Sequence, residues 1–416
     1  MIILLPEAGT EDSGQECDAV VCYRFTKGCP YTRTAFFNFY LCRMNRILII
    51  LVGICIPWSV ASSQVSYLNR PDLLEKVERC LYYTYDFSFK EARIIQSELA
   101  AATPEHPAPD FLKALIVYWE NFPLQPSDKA SEQFIDLMDR VLEMAENLNN
   151  NSETYIEGVF FDLFGRAFKA MFWADNGKSA KLLPDLGTMY RQTKKGFELK
   201  DEFVEFYFST GLYNYYIDAY PEAHPAYKPL VSFMHKGDRE LGLEQLNYAI
   251  NHTIFLKVES IHFMSLIQLN YENDLNTAAI YSERLVRDYP GNIYFQGLLV
   301  NILLHQHRFI RVKEVLSERV NGNDSYSEMI NTLANAFMDE REPGKETLAG
   351  TGFRKTIELA ETFGPIADIY QAMGYMGLSR LYQKRGLDRE SDSFARKASH
   401  LTHYRFILEE RAPGSR

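Results

Sequence analysis

Two stretches of this chain set an alanine twelve residues ahead of a proline with helical periodicity between: Ala92 to Pro104 in YDFSFKEARIIQSELAAATPEHP, and Ala278 to Pro290 in YENDLNTAAIYSERLVRDYPGN. A small side chain lets two helices cross closely, and proline, having no amide donor, ends the second of them. Two antiparallel helices joined by a tight turn cannot cover their own apolar faces. A unit of this design therefore needs neighbours stacked on it in series. No other feature of the sequence restricts the fold as much.

The remainder of the chain obeys the same rule. Apolar residues recur at steps of three and four, as in Phe111, Leu112, Leu115, Ile116 and Trp119, or Leu243, Leu246, Ile250 and Ile254. Pro104, Pro107, Pro123, Pro184, Pro225, Pro290 and Pro343 fall at helix ends. No stretch alternates with period two for long, and the one hairpin-like dipeptide, Asn321-Gly322, follows a helical segment and precedes polar residues. The chain is expected to be all-α.

The alanine-to-proline segments resemble the second half of a tetratricopeptide repeat. Stepping on by that family's period of about 34 residues carries Ala278 to Val312, Leu269 to Leu303 and Tyr281 to Val315, all apolar. Tyr375 to Ala398 repeats the design, with Tyr375, Ser379 and Tyr382 on one helix, a Gly386 turn, then Ser391 and Ala398 on the next. Gly242 and Ala249 take the small positions after a Gly237-Asp238 turn. The resemblance is clearest over 259–326 and 372–405, extends to 82–104, and is weaker over 130–235. It implies an α-solenoid of antiparallel helix pairs, a right-handed superhelix, over 64–416. About seven to nine pairs fit that length, with long connections at Glu146 to Glu153 and Arg341 to Gly352.

Residues ahead of the repeats read as a leader. Ile47 to Val60 is a dense apolar run, with Met44-Asn45-Arg46 before it and Ala61-Ser62-Ser63 after it, which is the layout of a secretory signal peptide. On that reading 44–63 is the signal and 1–43 a disordered upstream extension. The competing reading makes Phe36 to Val60 one loosely apolar anchor. The run itself is short for a membrane span and contains Pro57, so no integral span is expected in the mature chain. Five of the six cysteines lie at or before this run and only Cys80 follows, which leaves no disulfide pair and no cysteine zinc site. Cys55 follows Ile54, where a lipoprotein signal needs a small residue. The expected location is the periplasm, the outer-membrane surface or the medium.

A formal net charge of -11 argues against nucleic-acid partners. No GxSxG, GxxxxGK[ST] or GxGxxG is present, and neither His305 and His307 nor His400 and His403 comes with further ligands at metal-site spacing. The reading is non-catalytic, with no metal and no cofactor. The aromatic cluster of Phe203, Phe206, Tyr207, Phe208, Tyr213, Tyr215, Tyr216 and Tyr220 is read as helix packing in preference to a glycan platform, although Tyr215 and Tyr216 are not expected both to face inward.

In the repeat family, first helices of successive pairs line a concave face. Carried over by resemblance, those positions are Phe263, Ile267, Asn270 and Tyr271, then Tyr294, Asn301, Leu304 and His305, then Met373, Met376, Arg380, Gln383 and Lys384. The expected function is a scaffold of the bacterial envelope that binds a protein or peptide partner in this groove. The alternative is a helical-repeat binding protein for a glycan or small molecule.

Overall fold

A computed structural model describes residues 66–225, 228–232, 234–317 and 325–410. Its described residues contain no strand and form hairpin pairs along the chain: α1 (Pro71–Tyr85) with α2 (Phe89–Ala102), α3 (Pro107–Glu120) with α4 (Lys129–Asn149), and α5 (Tyr155–Asp175) with α6 (Leu183–Leu199). α7 (Phe206–Ala223) pairs with α9 (Arg239–His252) across the one-turn α8 (Lys228–Val231). Then come α10 (Lys257–Asn270) with α11 (Leu275–Asp288), α12 (Ile293–His305) with α13 (Phe309–Ser317), α14 (Ser325–Glu340) with α15 (Glu346–Glu361), and α16 (Asp368–Lys384) with α17 (Asp388–Leu401). A last turn, α18 (Arg405–Leu408), follows. Apart from the one-turn α8, each helix packs on the next in the chain, and first helices also touch one another, α1 with α3, α12 with α14 and α14 with α16. The array is all-α and solenoid-like.

Local chemistry explains the boundaries. Asp274 accepts the amides of Asn276 and Thr277 at the start of α11, Asn292 those of Tyr294 and Phe295 at the start of α12, and Asp238 that of Leu241 in α9. Ala92 and Ala278 are fully buried at the crossings they were expected to make. Where serine replaces the small residue it bonds across the pair: Ser265 Oγ to Ser282 Oγ at 2.7 Å, Ser379 Oγ to Ser391 Oγ at 3.0 Å. At the α7–α9 crossing nothing larger than glycine fits, since a Cβ on Gly242 would lie 2.6 Å from the Tyr215 amide nitrogen and 2.8 Å from the Gly211 carbonyl. The two connections read as long are short. α4 runs to Asn149 with α5 starting at Tyr155, and α15 starts at Glu346.

A simple solenoid touches only its nearest repeats, but this one meets itself. The turn after α1 reaches the turn before α12: the Gly291 amide donates to Asp86 Oδ1 at 3.0 Å and Asn292 Nδ2 to the Tyr85 carbonyl at 2.9 Å. The backbones are so close that a Cβ on Gly291 would sit 2.2 Å from the Asp86 oxygen. Inner faces of the first helices consequently face each other through rings. Tyr85 packs on Trp119, Tyr289 and Phe295, Phe122 on Tyr294 and Tyr326, and both Phe111 and Phe160 on Phe255. Such pairs add about 0.5–1.5 kcal/mol each beyond area burial. The trough is therefore filled from within over much of its length.

No described helix is long and apolar enough to cross a membrane. The leader, Met44, Cys55 and the upstream extension lie outside the described residues.

Candidate functional site

Ring packing along the inner face leaves one interior space of about 170 Å³ bounded by α1, α3, α5, α10 and α12. Its wall is aromatic, with Tyr85, Tyr118, Trp119, Phe122, Tyr294 and Phe295. Glu259, His262, Phe263 and Leu266 enter from α10, at the three- and four-residue steps that put them on one helix face. Phe168, Met171 and Asp175 enter from α5 by the same arithmetic. A second space of about 110 Å³ adjoins the first, sharing Phe168, Met171, Glu259 and Phe263, and is otherwise walled mainly by apolar side chains such as Leu163, Phe164, Met189 and Leu212.

Polar chemistry in the first cavity is unfinished. The Tyr85 hydroxyl, the Trp119 indole N–H and Glu259 Oε2 are buried and have no hydrogen-bond partner among the described residues. Each unmet group costs about 1–3 kcal/mol. Burial pushes the Glu259 carboxyl up to about 8 and Asp175 up to about 6, the latter partly opposed by the Tyr118 hydroxyl that donates to it at 2.7 Å. Burial pulls His262 down to about 4, and its Nε2 lies 3.1 Å from the Tyr294 hydroxyl. At neutral pH the cavity thus holds a protonated Glu259, an uncharged His262 and an ionised Asp175. No lysine or arginine lines either space.

Of the expected groove residues, Phe263 and Tyr294 do line this interior. Ile267 is fully buried core, and Asn270 and Tyr271 are half-buried at the end of α10, where Tyr271 packs on Tyr215 and Tyr216. Asn301, His305 and Arg380 are buried too, which corrects the expectation of an open clamp. Arg380 already grips Glu340 with two hydrogen bonds, 2.9 and 2.8 Å, and the chain's own C-terminal turn covers His305. There the Phe406 ring meets the imidazole edge-on at 4.9 Å, and Glu410 lies 3.7 Å from His305 Nε2 and 2.7 Å from Arg341 Nη2. Leu304, Met373 and Met376 are core. Only Gln383 and Lys384 remain exposed, and Lys384 Nζ reaches the Glu340 carbonyl at 3.4 Å.

The tyrosine-rich stretch packs, as expected. Tyr213, Tyr215, Tyr216 and Tyr220 are all buried. Tyr215 and Tyr216 both go inside, contrary to expectation, because α7 is covered by α6 on one flank and α9 on another. Two other carboxyls serve the framework. Glu205 accepts the amides of Ile254, Phe255 and Leu256 ahead of α10, and Glu157 takes Leu68 N–H at 2.8 Å with His106 Nε2 at 2.9 Å. Glu259, Asp175, Trp119 and Tyr85 are the cavity groups that sequence reasoning passed over. The signal was present in Phe164, Phe168, Met171 and Asp175, an apolar stripe that ends on a carboxylate.

No family model, no curated protein and no solved structure matches this chain.

Proposed function

We propose that this protein is a non-catalytic helical-repeat binding protein, tetratricopeptide-like in construction, that holds a small amphipathic ligand between its first helices. The observation that carries the reading is the aromatic cavity, three of whose lining residues hold a buried polar atom without a hydrogen-bond partner among the described residues: the Tyr85 hydroxyl, the Trp119 N–H and Glu259 Oε2. Buried polar groups are normally satisfied, and an apolar pocket with a few convergent polar groups is the usual form of a ligand site. The leader layout of residues 44–63 supports a place of action after export, in the bacterial envelope or outside it. A scaffold for a protein or peptide is the second reading, and it draws on the C-terminal turn, whose seat over His305 and Arg341 is the kind of seat an extended segment would take.

The test is titration with N-phenyl-1-naphthylamine, a neutral apolar fluorophore excited by energy transfer from tryptophan. One saturable site is expected, lost when Ala174→Phe fills the first cavity and retained in Trp173→Phe. Absence of saturable binding, or equal binding to the filled variant, overturns the small-ligand reading. A stoichiometric protein captured in its place would promote the scaffold.

A further inference from the structure

Resting on that reading, we propose that the ligand is an organic ammonium ion carrying an apolar arm, with its cationic head in the ring-walled cavity against Glu259 and Asp175 and its arm in the adjoining space. Three independent features meet at the head position. The wall is built of the rings of Tyr118, Trp119, Phe122, Tyr294 and Phe295, and aromatic rings attract cations, most of all when water is excluded. Two carboxyl groups face the same space with no lysine or arginine among the lining residues. One of them, Glu259, is nine-tenths buried with an oxygen that accepts no hydrogen bond from any described residue. An anionic ligand would meet Asp175 and Glu259 without a counter-charge, and a wholly neutral ligand would leave the acid pair unused.

Geometry also sets the form of the arm. Glu259 and Phe263 border both spaces, so a group leaving the head passes directly into the second one. That space offers few polar partners, essentially Thr193, Ser209 and Tyr213, and Tyr213 already donates to the His235 carbonyl at 2.7 Å. A peptide backbone entering there would lose hydrogen bonds it could not replace. The arm is therefore a hydrocarbon chain, and the ligand is a free amphiphile in preference to a lysine side chain on a partner.

Binding has a proton signature. The titratable groups sharing a cavity with Glu259 are Asp175 from α5, Tyr118 from α3, Tyr85 from α1, His262 on its own helix, Tyr294 from α12 and Tyr213 from α7, with Tyr289 nearby at the end of α11. None of them carries positive charge at neutral pH. An arriving ammonium replaces the proton on Glu259, so one proton is released, and affinity rises up to about tenfold per pH unit below pH 8.

The experiment is calorimetric titration of the full chain with hexyltrimethylammonium, 1-hexanol and hexylsulfonate at pH 6 and pH 8, in two buffers of different ionisation enthalpy. The expected order at pH 8 is the cation at least tenfold tighter than hexanol, with hexylsulfonate failing to bind. Glu259→Gln should weaken the cation at least tenfold and remove the proton release while leaving hexanol within twofold, and Asp175→Asn should weaken the cation by less. Hexanol binding as well as the cation, with Glu259→Gln indifferent, overturns the ammonium assignment and leaves the cavity as a neutral-ligand site. A trimethyllysine peptide outcompeting the cation overturns the free-amphiphile assignment. Failure of all three probes to bind or to move Trp119 emission defeats the site itself, and the proposed function with it.

Discussion

The two ends of the inner face treat charge in opposite ways. Toward α16 and α18, Arg380, Glu340, Arg341 and Glu410 form one ionic group: two Arg380–Glu340 bonds below 3 Å, Arg341 bridging Glu340 at 3.2 Å and Glu410 at 2.7 Å, with His305 beside Glu410. Toward α3 and α5, Glu259 and Asp175 are buried with no lysine or arginine lining their cavity. Burying charge is tolerable only when it is paired or neutralised. The first region uses pairing and spends its acids on its own helices. The second holds Glu259 protonated and meets Asp175 with the Tyr118 hydroxyl, and it keeps the Glu259 carboxyl unspent. Polar residues facing a helical trough are therefore poor indicators of a partner until it is known which of them the fold has already consumed.

The contrast can be broken most forcefully at Glu340. Glu340→Ala strands Arg380 and should cost about 3–5 kcal/mol, as for other half-broken buried pairs, measured by urea denaturation. Glu259→Gln should cost nothing comparable and stays neutral or stabilising, because no partner is deserted. Equal losses in the two variants would mean that the two regions do not differ as described. At the seam between α1 and α12, Gly291→Ala should cost about 1–3 kcal/mol through overpacking against Asp86, readable as a lower Tm in calorimetry; an unchanged Tm would show that the seam is loose.

A smaller effect sharpens the comparison through pH. Glu259 and Glu205, raised by burial to about 8 and about 7, keep their protons when folded and lose them near the ordinary carboxyl value when unfolded. Stability therefore falls as pH rises through 6.5 to 8. Glu259 alone contributes up to about 2 kcal/mol over that window, and Glu259→Gln should flatten the decline. Between about pH 4.5 and 6 the trend is offset by His262 and His403, pulled to about 4 by burial, and His305, pulled to about 3 by burial. Each takes a proton in the unfolded chain first, so acidification there works against folding. A stability maximum above pH 8 would contradict both assignments. Smallest of all, Trp119→Phe removes an unmet donor together with one ring of the indole, two opposing effects that should leave it within about 1.5 kcal/mol of the parent, checked by the same denaturation curves.

Much of the framework was legible before any coordinates. Ala92 and Ala278 mark crossings because only a small side chain lets axes approach, and Pro104 and Pro290 follow helix ends because proline has no donor to continue them. Tyr294 and Phe263, carried to the inner face by resemblance to the repeat family, line the interior cavity. Arg380 and His305 were misjudged because their partners, Glu340 forty residues back and Glu410 at the far end of the chain, carry no sequence mark of the pairing. Glu259 was missed for a different reason. Among many acidic residues, only the company of Trp119 and Tyr85, brought from more than a hundred positions away, distinguishes it.

The seam where Gly291 and Asn292 meet Tyr85 and Asp86 also fixes how this molecule can change over evolutionary time. Open repeat arrays gain or lose a unit with little penalty, because each added hairpin simply extends the row. Here an inserted or deleted pair anywhere between the two turns would carry one past the other, so the number of hairpins is locked like the stones of an arch. Melting should follow suit, as one concerted event in place of fraying from the ends.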